Sequence, residues 1–239
     1  MVFTISRWLE KYRTRGVPAG FYDQPIADDT ARLVLKSCRL EDITDTSAIK
    51  VLDFGYGSGR YMEIFATRVP KNNIVGVEVS RQWLPRARVA QFNCVMISPA
   101  KPVLPFNAEA FDVVFSSNVI EHIPRDLCWG YLKEIHRVLK RGGRLAIGAP
   151  NYPAKRIFDL MTAARTPQYR WYYLFDDPTH CNKRSIFAVE RDLKSLFATV
   201  HLESGPILLE SMLPVLRRRK VRYLLRGLGY KFFGYCVKA

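Results

Sequence analysis

Long hydrophobic runs are missing from this 239-residue chain. The longest stretch without Asp, Glu, Lys or Arg is Val89–Ala100, 12 residues, against the roughly 18–20 that a spanning helix needs. A helical membrane protein is therefore not expected. The first residues, MVFTISRWLEKYR, carry no sustained apolar core and no small-residue cleavage site, so no secretory leader is expected either. Cysteine is scarce and scattered: Cys38, Cys94, Cys128, Cys181 and Cys236, with no C-x-x-C pair. An odd, dispersed set argues against a disulfide framework and against a zinc site. No metal ligand set is expected, and the setting reads as reducing and cytoplasmic.

Acidic residues run out towards the C-terminus. Residues 211–239 hold 8 basic and no acidic side chains, and residues 151–239 carry a net charge of +9 out of +15 for the whole chain. A basic excess raises the odds of a polyanionic partner. Its position confines that partner to the C-terminal part. With 48% hydrophobic and 25% charged residues, the balance is that of an ordinary globular domain, which excludes a disordered or collagen-like chain.

What is present is alternation. Asp28–Leu40 reads as a helix, acids first and Ala31, Val34, Leu35 and Cys38 on one face. Strand patterns follow at Ile49–Phe54, Ile74–Val79, Asn93–Ile97, Phe111–Ser116 and Arg144–Gly148, with helix patterns at Gly59–Arg68, Gln82–Ala90 and Leu127–Lys140. Several of the strands are apolar with little alternation, as strands covered on both faces should be. The order predicts an α/β fold with a mostly parallel sheet and helices on both faces. Residues 149–183 break the rhythm with an aromatic, basic insertion that includes Tyr169, Trp171, Tyr172, Tyr173 and Phe175; a lid or binding loop is expected. A helix near Val189–Phe197, strands at Ala198–Leu202 and Ile207–Leu209, a basic amphipathic helix at Leu213–Leu228 and a strand at Lys231–Val237 complete the reading. The chain thus divides into an N-terminal cap segment at 1–48, a core at 49–150, the insertion at 151–183 and a C-terminal part of the same domain at 184–239.

The densest signal is Asp53-Phe54-Gly55-Tyr56-Gly57-Ser58-Gly59, which leaves a strand and opens a helix. Glycines let the chain turn sharply and let a ligand approach the backbone. A P-loop would need a Lys-Ser/Thr pair, which is absent. A dinucleotide fingerprint would need G-x-G-x-x-G, but the spacing here is G-x-G-x-G with Arg60 next. A carboxylate at Asp53 repels a pyrophosphate and suits a ligand with a cationic end. Glu78, at the end of the second strand, can accept both hydroxyls of a ribose. Adenosine joined to a positively charged amino-acid portion is S-adenosylmethionine.

This segment resembles the first motif of the class I S-adenosylmethionine-dependent methyltransferases. The chain is further similar to their type 11 branch at Leu104-Pro105-Phe106, at Phe111-Asp112-Val113-Val114, at Val119-Ile120-Glu121-His122-Ile123-Pro124 and at Leu132–Gly143. The resemblance implies a single Rossmann-like domain with a seven-stranded sheet and a C-terminal cap or extension. It implies a cofactor site made by Asp53, Gly55, Tyr56, Gly57, Gly59, Glu78, Val79, Trp83, Ala100, Ser117 and Asn118. Pro99-Ala100 stands where the branch often has Asp-Ala, and Tyr56 is bulkier than the residue common there. His180 is expected to face the acceptor and His122 to position it or move a proton, whereas His136 and His201 read as structural or surface residues.

The fourth strand ends in Ser116-Ser117-Asn118-Val119, not the Asn/Asp-Pro-Pro-Tyr of amino-methylating nucleic-acid enzymes, and there is no Pro-Cys pair for pyrimidine carbon methylation. The expected reaction is methyl transfer to a hydroxyl of a small-molecule or lipid- or saccharide-linked acceptor. RNA methylation is the alternative enzyme reading, and a cofactor-binding regulator or scaffold the non-enzyme one. The basic segment 213–228 is expected to touch an anionic membrane surface peripherally rather than RNA, and no DNA partner is expected.

Overall fold

The computed structural model describes residues 26–41, 43–84, 89–165, 176–205 and 219–239. Its seven-stranded sheet has the order β3-β2-β1-β4-β5-β7-β6. The strands are β1 (Val51–Phe54), β2 (Ile74–Glu78), β3 (Asn93–Met96), β4 (Phe111–Ser117), β5 (Leu139–Pro150), β6 (Thr199–Ser204) and β7 (Lys231–Val237). Pairings from β3 across to β5 are parallel, and β7 runs antiparallel to both β5 and β6. Strands β6 and β7 therefore complete the sheet at one edge.

Helices pack on both faces. On one lie α1 (Asp28–Ser37) and α2 (Arg60–Ala66); on the other lie α3 (Arg125–Val138) and α5 (Ile186–Lys194). Alternation along the central strands sorts the core accordingly. Leu52, Phe54 and Val114 join Cys128, Leu132 and Ile135 of α3 and Val189 and Leu193 of α5. Val51, Val113 and Phe115 join Val34 of α1 and Met62 and Phe65 of α2. The apolar set of α3, at positions 128, 131, 132, 135 and 138, falls at the i, i+3, i+4, i+7 spacing of one helix face. All four residues of β1 are buried, Asp53 included. By the same alternation Asp53 faces the α1/α2 layer.

Three expectations need correction. In place of the helix expected at Gln82–Ala90, the described residues form single 3-10 turns at Arg81–Trp83 and Val89–Gln91, and 85–88 lie outside the described residues. The insertion after β5 is not wholly irregular, since α4 (Ala154–Arg165) opens it. The basic segment is not one helix through Leu228. Its described part is α6 (Arg219–Leu224) followed by a separate turn at Arg226–Leu228, and Arg226 is tied to Glu190 at 2.8 Å. The N-terminal segment 1–25, the aromatics at 169–175, the Ile207–Leu209 strand and Leu213–Arg218 lie outside the described residues.

Candidate functional site

In open α/β sheets the ligand crevice lies beyond the carboxyl ends of the strands, where the strand order reverses. Here that point is between β1 and β4. The loop after β1 reaches it with three glycines at positive φ: Gly55 at 80°, Gly57 at 52° and Gly59 at 78°. Two have different reasons to be glycine. A Cβ on Gly55 would stand 2.5 Å from Val119 Cγ2, so the loop needs glycine to lie against the turn after β4. A Cβ on Gly57 would meet nothing nearer than 4.0 Å; its open face is turned to ligand space. Gly59 closes the loop at the start of α2.

Glu78 is fixed by backbone donors. Its Oε2 accepts from the Gly57 amide at 3.2 Å, and its Oε1 from the Val79 and Ser80 amides at 2.7 and 3.1 Å. Burial pushes its pKa up, and these three N–H groups partly offset that rise. Asp53 is buried more severely. It is 1% exposed, and its Oδ2 has no hydrogen-bond partner among the described residues. Burial, with a further push from the Glu78 charge, raises its pKa to about 8.

A cavity of about 310 Å³ opens beside this loop. Of the expected cofactor residues, Gly55, Tyr56, Gly57, Glu78, Trp83, Ser117 and Asn118 line it, as do both expected catalytic histidines, His122 and His180. Val79 lines a smaller recess of about 30 Å³ with Phe54, Ile97, Ile123 and Tyr131. Three expected residues line neither space. Asp53 stands buried two residues before the Gly55 wall, Gly59 sits at the helix start, and Ala100 occupies an exposed turn. Arg60, Tyr61, Val119, Glu121, Pro150 and Lys155 also line the larger cavity and were not among the expected site residues. Ile97 and Tyr131 of the recess were missed as well.

The far end of the cavity is assembled by tertiary contact. The Asn182 amide donates to Glu121 O at 3.0 Å and its side chain to Ile120 O at 3.1 Å, while Cys181 Sγ meets His122 O at 3.3 Å. This docks the 176–182 segment on the turn after β4 and sets the His122 and His180 rings 4.7 Å apart. Asn151, fully buried at the end of β5, ties the same region down: its side chain donates to Gly229 O at 2.7 Å and accepts from the Ile186 amide at 2.8 Å.

The hydrogen bonds determine how each ring carries its proton. The single Thr179 hydroxyl hydrogen goes to Asp177 Oδ1, at 2.5 Å. Its contact with His122 Nδ1, at 2.8 Å, must then be an N–H donating to oxygen. Tyr152 OH donates to the Asp176 carboxylate at 3.1–3.2 Å. His180 Nδ1, at 2.6 Å from the same hydroxyl, is likewise the donor. In this arrangement each ring gives its Nδ1–H to a hydroxyl that is itself tied to a carboxylate, which leaves Nε2 as the atom that can offer a lone pair. Burial and the Asp176 charge push the Tyr152 phenol well above its ordinary range, so it stays a donor. Burial alone would raise Asp176, but hydrogen bonds from His180, Lys155 and Lys183 hold it far below the usual carboxylate range.

The two remaining histidines lie elsewhere. His136 packs edge-on against Phe197, and His201 pairs with Glu203 on the surface. Cysteine spacing hinted at no metal site. Even so, Glu121, His122 and His180 each bring a ligand-type atom within 4.8 Å of the others.

Residues 52–147 match the model of a methyltransferase domain. An uncharacterized methyltransferase of Mycobacterium sp. (strain JLS) is 34% identical over 138 residues, covering 57% of this chain and 53% of that one. The matched stretch is similar to the class I S-adenosylmethionine-dependent methyltransferases. The trans-aconitate 2-methyltransferase of Azoarcus sp. (strain BH72) is 30% identical over 165 residues, covering 60% of this chain and 59% of that one. The chain spans about half the length of the curated relatives it matches. In fold it is similar to phosphoethanolamine N-methyltransferase 2 of Haemonchus contortus in complex with S-adenosyl-L-methionine, with a TM-score of 0.63 at 18% identity over 99% of this chain and 60% of that one.

The donor set fits the superfamily's cofactor. Gly57 leaves an open backbone face, Glu78 offers a fixed carboxylate, and Asp53 Oδ2, buried behind the loop, has no hydrogen-bond partner among the described residues.

Proposed function

We propose that this protein transfers a methyl group from S-adenosylmethionine to a hydroxyl oxygen of a small-molecule or lipid- or saccharide-linked acceptor. The observation that carries this reading is the pair of imidazoles, fixed with Nδ1–H inward, on the wall that also holds the glycine loop. A hydroxyl, whose proton is held far more tightly than an ammonium's, gains more from such groups than an amine acceptor does. The small-molecule activity named for the Azoarcus relative supports the acceptor class.

Glu78, Val79, Trp83 and the Gly55–Gly59 loop would hold the cofactor, with Asp53 behind them. When bound, S-adenosylmethionine supplies a methyl group on a positively charged sulfur. The chain's own contribution is alignment, worth roughly 7–11 kcal/mol of barrier in well-oriented cases, and treatment of the hydroxyl. The Nε2 lone pairs of His122 and His180 face that hydroxyl as bases: either towards its proton directly or, as argued below, through a cation that holds its oxygen. Behind His180, Tyr152 and the Asp176 carboxylate fix the ring's tautomer.

The basic segment adds a location. Leu224 and Leu228 are 78% and 49% exposed and stand near Arg219 and Lys220, a composition that suits reversible contact with anionic lipid. Among the described residues no helix is long and apolar enough to cross a membrane.

The test is incubation of cell extract with methyl-labelled cofactor, followed by mass spectrometry of labelled products. Label on an oxygen of a small or lipid-linked molecule supports the reading, and label confined to RNA or protein contradicts it.

A further inference from the structure

We propose that Glu121, His122 and His180 form a binding site for one divalent transition-metal ion at the acceptor end of the cavity. All three side chains are buried, at 2%, 6% and 9% exposure, and all three nevertheless line the same cavity, so an ion has a way in. Two imidazoles and a carboxylate are a hard-to-borderline N₂O set that suits Zn²⁺, Co²⁺, Mn²⁺ or Fe²⁺ and leaves further positions open. Metal–ligand bonds of about 2.0–2.2 Å put ligand atoms roughly 3–3.5 Å apart. The ligand-type atoms here lie within 4.8 Å of one another, and Glu121 Oε1 is 3.9 Å from His122 Nε2. Small side-chain rotations span that difference.

The surroundings are the second reason. A metal-ligating histidine donates its other ring N–H to an oxygen that fixes tautomer and orientation. Both rings are held in that way: His122 Nδ1 donates to Thr179, which is anchored on Asp177, and His180 Nδ1 donates to Tyr152, which is anchored on Asp176. Two independent carboxylate-backed relays present two Nε2 lone pairs beside one buried carboxylate. A single general base needs one such relay. Two relays converging with Glu121 match what a cation requires.

Binding of the ion does not depend on the methyl-transfer reading, but its role there does. An open coordination position would hold the acceptor's hydroxyl oxygen. It would lower that hydroxyl's pKa, with the proton released to solvent, and so place the nucleophile.

The experiment is titration of the full chain with Co²⁺ alone, followed by visible ligand-field absorption and by equilibrium dialysis. S-adenosylhomocysteine binding is measured in parallel. The parent protein is expected to take up one Co²⁺ per chain with a new visible band. E121Q, which keeps the shape of the side chain, and His180→Ala should each weaken uptake at least tenfold while still binding S-adenosylhomocysteine. His201→Ala, at the surface pair with Glu203, should change nothing. A parent that binds S-adenosylhomocysteine but no Co²⁺ overturns the site. So does Co²⁺ uptake that E121Q and His180→Ala leave unaltered. Co²⁺ uptake as expected without S-adenosylhomocysteine binding keeps the metal site and removes the methyl-transfer reading.

Discussion

Asp53 and Asp176 are both buried carboxylates within this one domain, and their protons behave in opposite ways. Asp53 keeps its proton to about pH 8, because burial and the neighbouring Glu78 charge oppose ionisation. Asp176 ionises far below the usual range, because Lys155, Lys183 and His180 all donate to it. Burial and a like charge act on Asp53, whereas Asp176 already has its cations. The first is built to gain a cation when its ligand arrives. The second is a finished electrostatic unit whose work is to hold a ring in place.

If that contrast holds, the largest effects should come from the acceptor end's chemistry. His180→Ala should lower methyl transfer by about 10²–10⁴-fold while leaving S-adenosylhomocysteine affinity within a few-fold, read by calorimetry beside a turnover assay. A parallel loss of affinity would mean that the two ends are not separable.

Removing Asp176 comes next. Asp176→Asn leaves Lys155 with Asp159 as its remaining charge partner, and losing one hydrogen bond to a charged group costs about 1.5–3 kcal/mol. At about 2–4 °C per kcal/mol for a domain of this size, the melting temperature should fall by roughly 3 °C or more. An unchanged melting temperature would show the network to be dispensable.

Asp53 should do the reverse in the absence of cofactor. Its folded pKa lies above the ordinary 3.8, so the stability tied to its proton is present below about pH 4 and lost as pH rises through about 8. Asp53→Asn should therefore flatten the pH dependence of the melting temperature between pH 5 and 9, stabilise the protein at the alkaline end, and weaken S-adenosylmethionine binding. A pH profile as steep as the parent's would contradict the raised pKa.

The smallest effect belongs to the basic edge. Replacing Arg219 and Lys220 by Gln should lower partition onto anionic vesicles by roughly fivefold per charge, from about 1 kcal/mol each, with cofactor binding unchanged. Equal sedimentation with neutral and anionic vesicles would remove the membrane reading.

The same division separates what was legible in the sequence from what was not. The cofactor end is local. Its glycines, Glu78 and Trp83 come from two short segments, and β2 ends on Glu78 as the pattern implied. The last strand, Lys231–Val237, was also readable to the residue, because an apolar run between a Gly-Tyr pair and the terminus has few alternatives. The side of the sheet on which Asp53 points, and hence its lack of a partner, was not readable. It depends on what packs against β1. The acceptor end comes from residues 117–122, 150–155 and 176–182, brought together by the Asn182 contacts and by Asn151. His180 and His122 were singled out by resemblance, but Tyr152, Lys155 and the role of Glu121 carry no local signature.

The most direct test of the contrast is calorimetric titration of the protein with S-adenosylmethionine at pH 7 in two buffers of different ionisation enthalpy. A cation brought near a neutral carboxylic acid expels its proton. Binding should therefore release close to one proton per chain in the parent and none in Asp53→Asn. Tight binding with no proton release in the parent would show that Asp53 is already charged, and the two ends would then not differ in the way described.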